Sequence, residues 1–133
     1  MAGSKTDALE QRIIDHLFKG GATPALTALS TVYVALYTVV PTDSTAGTEV
    51  SGSAYARASV AAAAWTRTSN SITNNVEVTF PAVTGSSYTV VGWAIMDAST
   101  AGNQLYWGDC TSTVMNVGDI PRFAPSALTI TED

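Results

Sequence analysis

The stretch Thr31-Val-Tyr-Val-Ala-Leu-Tyr-Thr38 decides how the rest of this chain is read. Val32, Val34 and Leu36 alternate with Tyr33, Ala35 and Tyr37. A period of two in β-branched and aromatic residues predicts a strand buried on at least one face. Pro41, Asp43, Ser44 and Gly47 then punctuate a loop. Gly47-Thr-Glu-Val-Ser-Gly52 follows, and Tyr55-Ala-Arg57 opens the next strand.

Downstream, further strands are predicted near 55–62, 76–80, 88–96, 104–110 and 127–132, with another around 119–123. Val76, Val78 and Phe80 alternate before Pro81, and Tyr88 to Met96 is a long apolar run that suits a central strand covered on both faces. Asn74-Asn75, Gly85-Ser86-Ser87 and the segment from Ala98 to Asn103 carry turn chemistry between them. Ala61 to Ala64 has helical propensity, but its place between strands and its small side chains predict a strand in close sheet contact. No helical crossovers separate the strands, so the fold class is mainly β: an antiparallel β-sandwich or barrel-like domain. Residues 22–133 form that single domain, and residues 1–21 form one short N-terminal amphipathic α-helix.

In the helix, Thr6 or Asp7 is the cap, Asp7 and Glu10 are spaced like a capping box, and Lys19-Gly20-Gly21 is the stop. Leu9, Ile13, Ile14, Leu17 and Phe18 form one apolar stripe. Two roles are open to it: packing on the protein's own sheet, or docking on a neighbouring subunit.

Only 13% of the residues are charged, about half the usual share of roughly 25%. With 19 Thr and 13 Ser, much of the surface is hydroxyl-bearing and costs little to desolvate, which favours a subunit that lives in an assembly. The net charge is −5, and residues 20–133 contain only Arg57, Arg67 and Arg122 as cations. That leaves no electrostatic footprint for nucleic acid or for an anionic membrane surface. No run approaches the roughly 18 apolar residues of a spanning helix, and the N-terminus lacks the apolar core of a secretory signal.

Chemistry-bearing residues are sparse. His16 and Cys110 are each single and far apart in sequence, which supplies neither a zinc site nor a nucleophile–base pair. Cys110 reads as a small buried hydrophobe and His16 as a surface residue favoured near a helix C-terminus. Asp97, Asp109 and Asp119 fall at strand ends or turns, where Asp is expected for local hydrogen bonding. Asp97 and Asn103 bracket a hairpin turn and do not match an EF-hand spacing. No catalytic, cofactor-binding or metal residues and no cofactor are expected. Trp93 and Trp107 read as core, whereas Trp65, next to Arg67, reads as exposed and interfacial. Leu9, Ile13, Leu17, Phe18, Trp65 and Arg67 are therefore the candidate partner-docking residues.

The block from Thr31 to Arg57 resembles a family of small bacteriophage virion proteins usually labelled tail-fibre proteins. Leu9 to Leu17, with Ile14-Asp-His-Leu17, is similar to the family's leading helix, Asn75-Val-Glu-Val-Thr-Phe-Pro81 to its middle strand, and Gly118 to Thr131 to its closing strand pair. The Asn- and Ser-rich segment from Ser69 to Asn75 departs from it. The resemblance implies a non-enzymatic virion structural protein on the particle exterior, assembled in the host cytoplasm and associated with other virion proteins, either the major capsid protein or tail proteins.

No heptad run, Gly-X-Y period or repeat is present, so this chain alone does not build a fibre shaft. A compact domain without a shaft suits a capsid decoration, or cement, subunit that self-associates as a homo-oligomer. Alternatives are a tail-fibre, tail-tip or baseplate subunit, and a host-surface glycan-binding module in which Trp65 stacks on sugar rings.

Overall fold

The computed structural model describes residues 2–132. Eleven strands are assigned among them: β1 (Ala2–Lys5), β2 (Thr31–Val39), β3 (Thr48–Glu49), β4 (Ala58–Ala61), β5 (Trp65–Thr68), β6 (Ser71–Asn74), β7 (Val78–Thr79), β8 (Tyr88–Met96), β9 (Gln104–Met115), β10 (Arg122–Phe123) and β11 (Thr129–Thr131). The helix α1 (Asp7–Phe18) follows β1. Nine strands form one sheet in the order β3–β2–β8–β9–β1–β11–β6–β5, with β4 also on β2, and β10 pairs with β7 in a small second sheet. This is a mainly β, sandwich-like domain with one short N-terminal helix. The sheet is mixed: β1 and β11 run parallel, and its other pairs are antiparallel.

β2 and β8 lie where the alternation placed them, and β8 is covered on both faces. Val34, Leu36, Val90, Trp93 and Ile95 belong to the main core, together with Val60, Val78, Phe80, Leu128 and Ile130. Ala35, Tyr37, Ala94 and Met96 form a second cluster. Each fully buried large apolar side chain contributes about 1.5–3 kcal/mol, so the core is concentrated on these two strands.

One edge of β2 is shared by two short strands. Thr31 to Val34 pair with β4, whereas Tyr37 and Val39 pair with β3. Between them the Leu36 amide donates to the Tyr55 hydroxyl at 3.0 Å, and the Leu36 carbonyl accepts from Val50 N at 2.9 Å. A phenol thus replaces a strand at this point, because a buried backbone N–H without a partner is costly. Further along the same sheet β1 is divided between two neighbours: Ser4 and Lys5 pair with β9, and Ala2 and Gly3 pair with β11. This short strand joins β2, β8 and β9 to β11, β6 and β5.

Several sequence expectations are corrected. Ala62–Ala64 is a turn of 3-10 helix, not a strand, and it joins β4 to β5. The strands β1, β3, β5 and β6 have no counterpart in the expected set. The strand expected at 76–80 is only Val78–Thr79, and the one expected at 104–110 continues to Met115. Asn74 carries the turn into β7: fully buried, it donates to the carbonyls of Val76 and Ala124 and accepts from Leu128 N at 2.8–2.9 Å.

Candidate docking surface

Thr6 caps α1, its hydroxyl accepting from Leu9 N at 3.2 Å and donating to Gln104 O at 2.9 Å. Because Thr6 is the cap, Leu9 occupies the third helical position and the Asp7/Glu10 capping box does not form. Both acids still lie in the first turn, where the helix dipole favours them. The stop falls where expected: the amides of Lys19 and Gly21 donate to Asp15 O, and Gly20 has φ of 77°.

The apolar stripe divides. Leu9 is buried in the core and Ile13 packs against it. Ile14, Leu17 and Phe18 are 56%, 67% and 81% exposed. At 3.6 residues per turn, Ile14 and Phe18 lie about 140° and 180° around the helix from Leu9, so one contact with the sheet cannot cover the whole stripe. The helix both anchors to its own domain and presents a bare apolar face.

Arg12 takes the third place on the inward face, three residues from Leu9. It is 8% exposed, its Nε donates to Pro24 O at 2.9 Å and its Nη2 to Ala25 O at 2.7 Å. No carboxylate of the described residues forms an ion pair with it. Arg12 is not among the residues the sequence singled out; the i, i+3, i+4 spacing of Leu9, Arg12 and Ile13 is the signal that places it inside.

Trp65 is not exposed. It is half-buried, packs against the core, and its Nε1 is buried without an acceptor. The correction follows from strand alternation: Trp65 and Ile72 face inward from β5 and β6, so the core takes the indole. Arg67 is exposed and donates to Ser69 O at 2.7 Å. Trp93 is fully buried and Trp107 half-buried, with its Nε1 donating to Asp43 Oδ1 at 2.8 Å. None of the three tryptophans offers an exposed stacking platform.

Two open-sided cavities connect these residues. One, of about 260 Å³, lies between α1 and the 25–29 segment and is lined by Leu9, Arg12, Ile13, Leu26, Asp97 and others. The second, of about 230 Å³, is lined by Val32, Trp65, Ile72, Ile95 and Ile130 among others. They share Leu29, Leu105 and Tyr106 in their walls. Leu17, Phe18 and Arg67 line neither.

Potentially reactive groups are engaged locally. Both Asp97 oxygens accept from Asn103, at 2.6 and 2.7 Å, closing the β8–β9 turn. Asp119 Oδ2 accepts from Asn116 N at 2.8 Å. His16 is exposed, and Cys110 is half-buried against the core, where burial and the Asp109 charge push its thiol up. Among the described residues no group of three or more His, Cys, Asp or Glu is arranged to hold a metal.

Residues 4–131 match the family described as podophage GP4 fiber I protein gp80, and the chain belongs to that family. No curated protein matches the sequence.

Proposed function

We propose that this chain is a non-enzymatic subunit of a podophage fibre, held in the particle by contacts with other virion proteins. The match to a fibre-protein family over residues 4–131 carries this reading. The exposed triad Ile14, Leu17 and Phe18 supplies a means of attachment, with Leu9 and Ile13 fixing the helix that presents it. Arg67, exposed on the edge strand β5, is a second point of polar contact. Capsid decoration is the second reading, favoured by the compact domain and its lack of a shaft-forming segment. Quantitative mass spectrometry of purified particles separates them. A fibre subunit gives a few to tens of copies per particle, and a decoration subunit gives a simple fraction of the major capsid protein.

A further inference from the structure

The two neighbouring cavities share an unusual chemistry. Their walls are largely aliphatic and aromatic, yet Arg12 Nη1 and Trp65 Nε1 are both buried without an acceptor. Both are donors. The guanidinium is a cation, and the two backbone carbonyls it holds satisfy hydrogen bonds without neutralising it. Asp97 lines the same cavity but forms no ion pair with Arg12, its two oxygens accepting from Asn103 instead. A buried cation without an ion-pair partner is costly, so the matching occupant carries a carboxylate on an apolar stem.

We propose that the cavity between α1 and the 25–29 segment receives a carboxylate-bearing apolar segment of a different virion protein, with the carboxylate meeting Arg12. A second copy of this chain fits poorly. A two-fold contact would present the same patch to itself and bring donors against donors and Arg12 against Arg12. The proposal rests on the virion-subunit reading, for which it names the chemistry of the partner.

Hexanoate is a suitable probe for the full chain, with 1-hexanol as its neutral counterpart, followed by backbone amide NMR at Ile13, Ala25, Leu26 and Leu105. Hexanoate is expected to bind about ten- to hundredfold more tightly than hexanol, the value of one charge-assisted hydrogen-bonded contact. Arg12→Gln is expected to remove that difference while leaving hexanol binding unchanged. Because that variant also loses contacts to Pro24 and Ala25, Leu29→Trp provides an independent arm. It fills the shared wall, leaves Arg12 in place, and is expected to abolish hexanoate binding without changing the melting temperature.

Equal binding of the acid and the alcohol, or unchanged hexanoate affinity in either variant, overturns the proposal and leaves Arg12 as a staple for the 24–25 backbone. In assembled particles, a photo-crosslinking residue at position 29 is expected to capture an acidic, apolar peptide of another virion protein. Capture of a peptide lacking a carboxylate, or of a second copy of this chain, overturns it as well. Copy number, which tests the fibre assignment, is unaffected by either result.

Discussion

Arg57 meets Glu49 at two points, Nε to Oε1 and Nη2 to Oε2, each at 2.8 Å. Its remaining Nη1 donates to the carbonyls of Ala98 and Ala101, tying the β8–β9 turn to β3. The Tyr55 hydroxyl donates to Glu49 Oε1 at 2.9 Å while accepting from Leu36 N. One fork therefore holds together the ladder gap on β2, the short strand β3 and a distant turn. The Arg57 side chain is 8% exposed, so solvent does little to compensate for its loss. Arg57→Ala is expected to lower stability by about 2–4 kcal/mol, read as a reduced denaturant midpoint with an unchanged slope.

The same fork sets an acid limit. Burial acts to raise the Glu49 carboxyl, but hydrogen bonds from Arg57 and Tyr55 and the Arg57 charge outweigh it, leaving the group below its ordinary value of 4.5. Glu132 is likewise lowered against its own burial, by Lys5 and Tyr106. A carboxyl lowered in the folded state adds stability that is complete above its unfolded value and is lost as pH falls through its folded one. Stability is thus expected to hold above pH 4.5 and to decline below it. Glu49→Gln should flatten that acid limb in part, with Glu132 supplying the remainder; an unchanged limb would exclude the Glu49 linkage.

Asn74 closes the β6–β7 turn by three side-chain hydrogen bonds, with no exposure to solvent. Asn74→Ala takes the side-chain partner from the Leu128 amide and the Val76 carbonyl, while the Ala124 carbonyl keeps Ala127 N at 3.1 Å, and is expected to cost about 3 kcal/mol. Asn74→Asp should cost at least as much, since it sets a carboxylate against the Val76 and Ala124 carbonyls. Thermal melts of the two variants test the order.

Gly3 lies where β1 crosses the buried indole of Trp93. A Cβ built on it would stand 2.6 Å from Trp93 Cη2 and 3.1 Å from the Trp107 carbonyl. Gly3→Ala is expected to cost about 1–3 kcal/mol. Trp93→Phe shortens the ring, so the double variant should be less destabilised than the sum of the two singles. Strict additivity would show that the indole is not what excludes the methyl group.

Leu17→Ser and Phe18→Ser change side chains that are 67% and 81% exposed. Stability should stay within about 0.5 kcal/mol of the parent, while incorporation into particles falls. Normal incorporation of a folded double variant would show that this helix face is not the attachment surface.

Helix α1, β2 and β8 were legible in the sequence because each carries its own evidence. A capping threonine and a glycine stop bound the helix, alternation marks Thr31 to Leu36, and a long apolar run marks Tyr88 to Met96. β1 carries none: Ala2-Gly3-Ser4-Lys5 has no strand pattern and is extended because β9 and β11 offer it partners. β5 and β6 carry no strand signal of their own because Thr, Ser and Asn dominate them, and their hydroxyls bond across strands only once paired, as Ser71 with Thr131 at 2.8 Å. Ala62 to Ala64 follows alanine's propensity into a 3-10 turn because the chain must pass there from β4 to β5.

The candidate site divides in the same way. The amphipathic stripe is written in the order of residues 9–18, since helical spacing fixes which side chains share a face. Which half of that stripe is buried, the inward turn of Arg12 and the half-burial of Trp65 depend on residues far away in sequence. Local order sets a side chain's direction, but only the packed sheet determines what it meets there and whether a buried donor finds an acceptor.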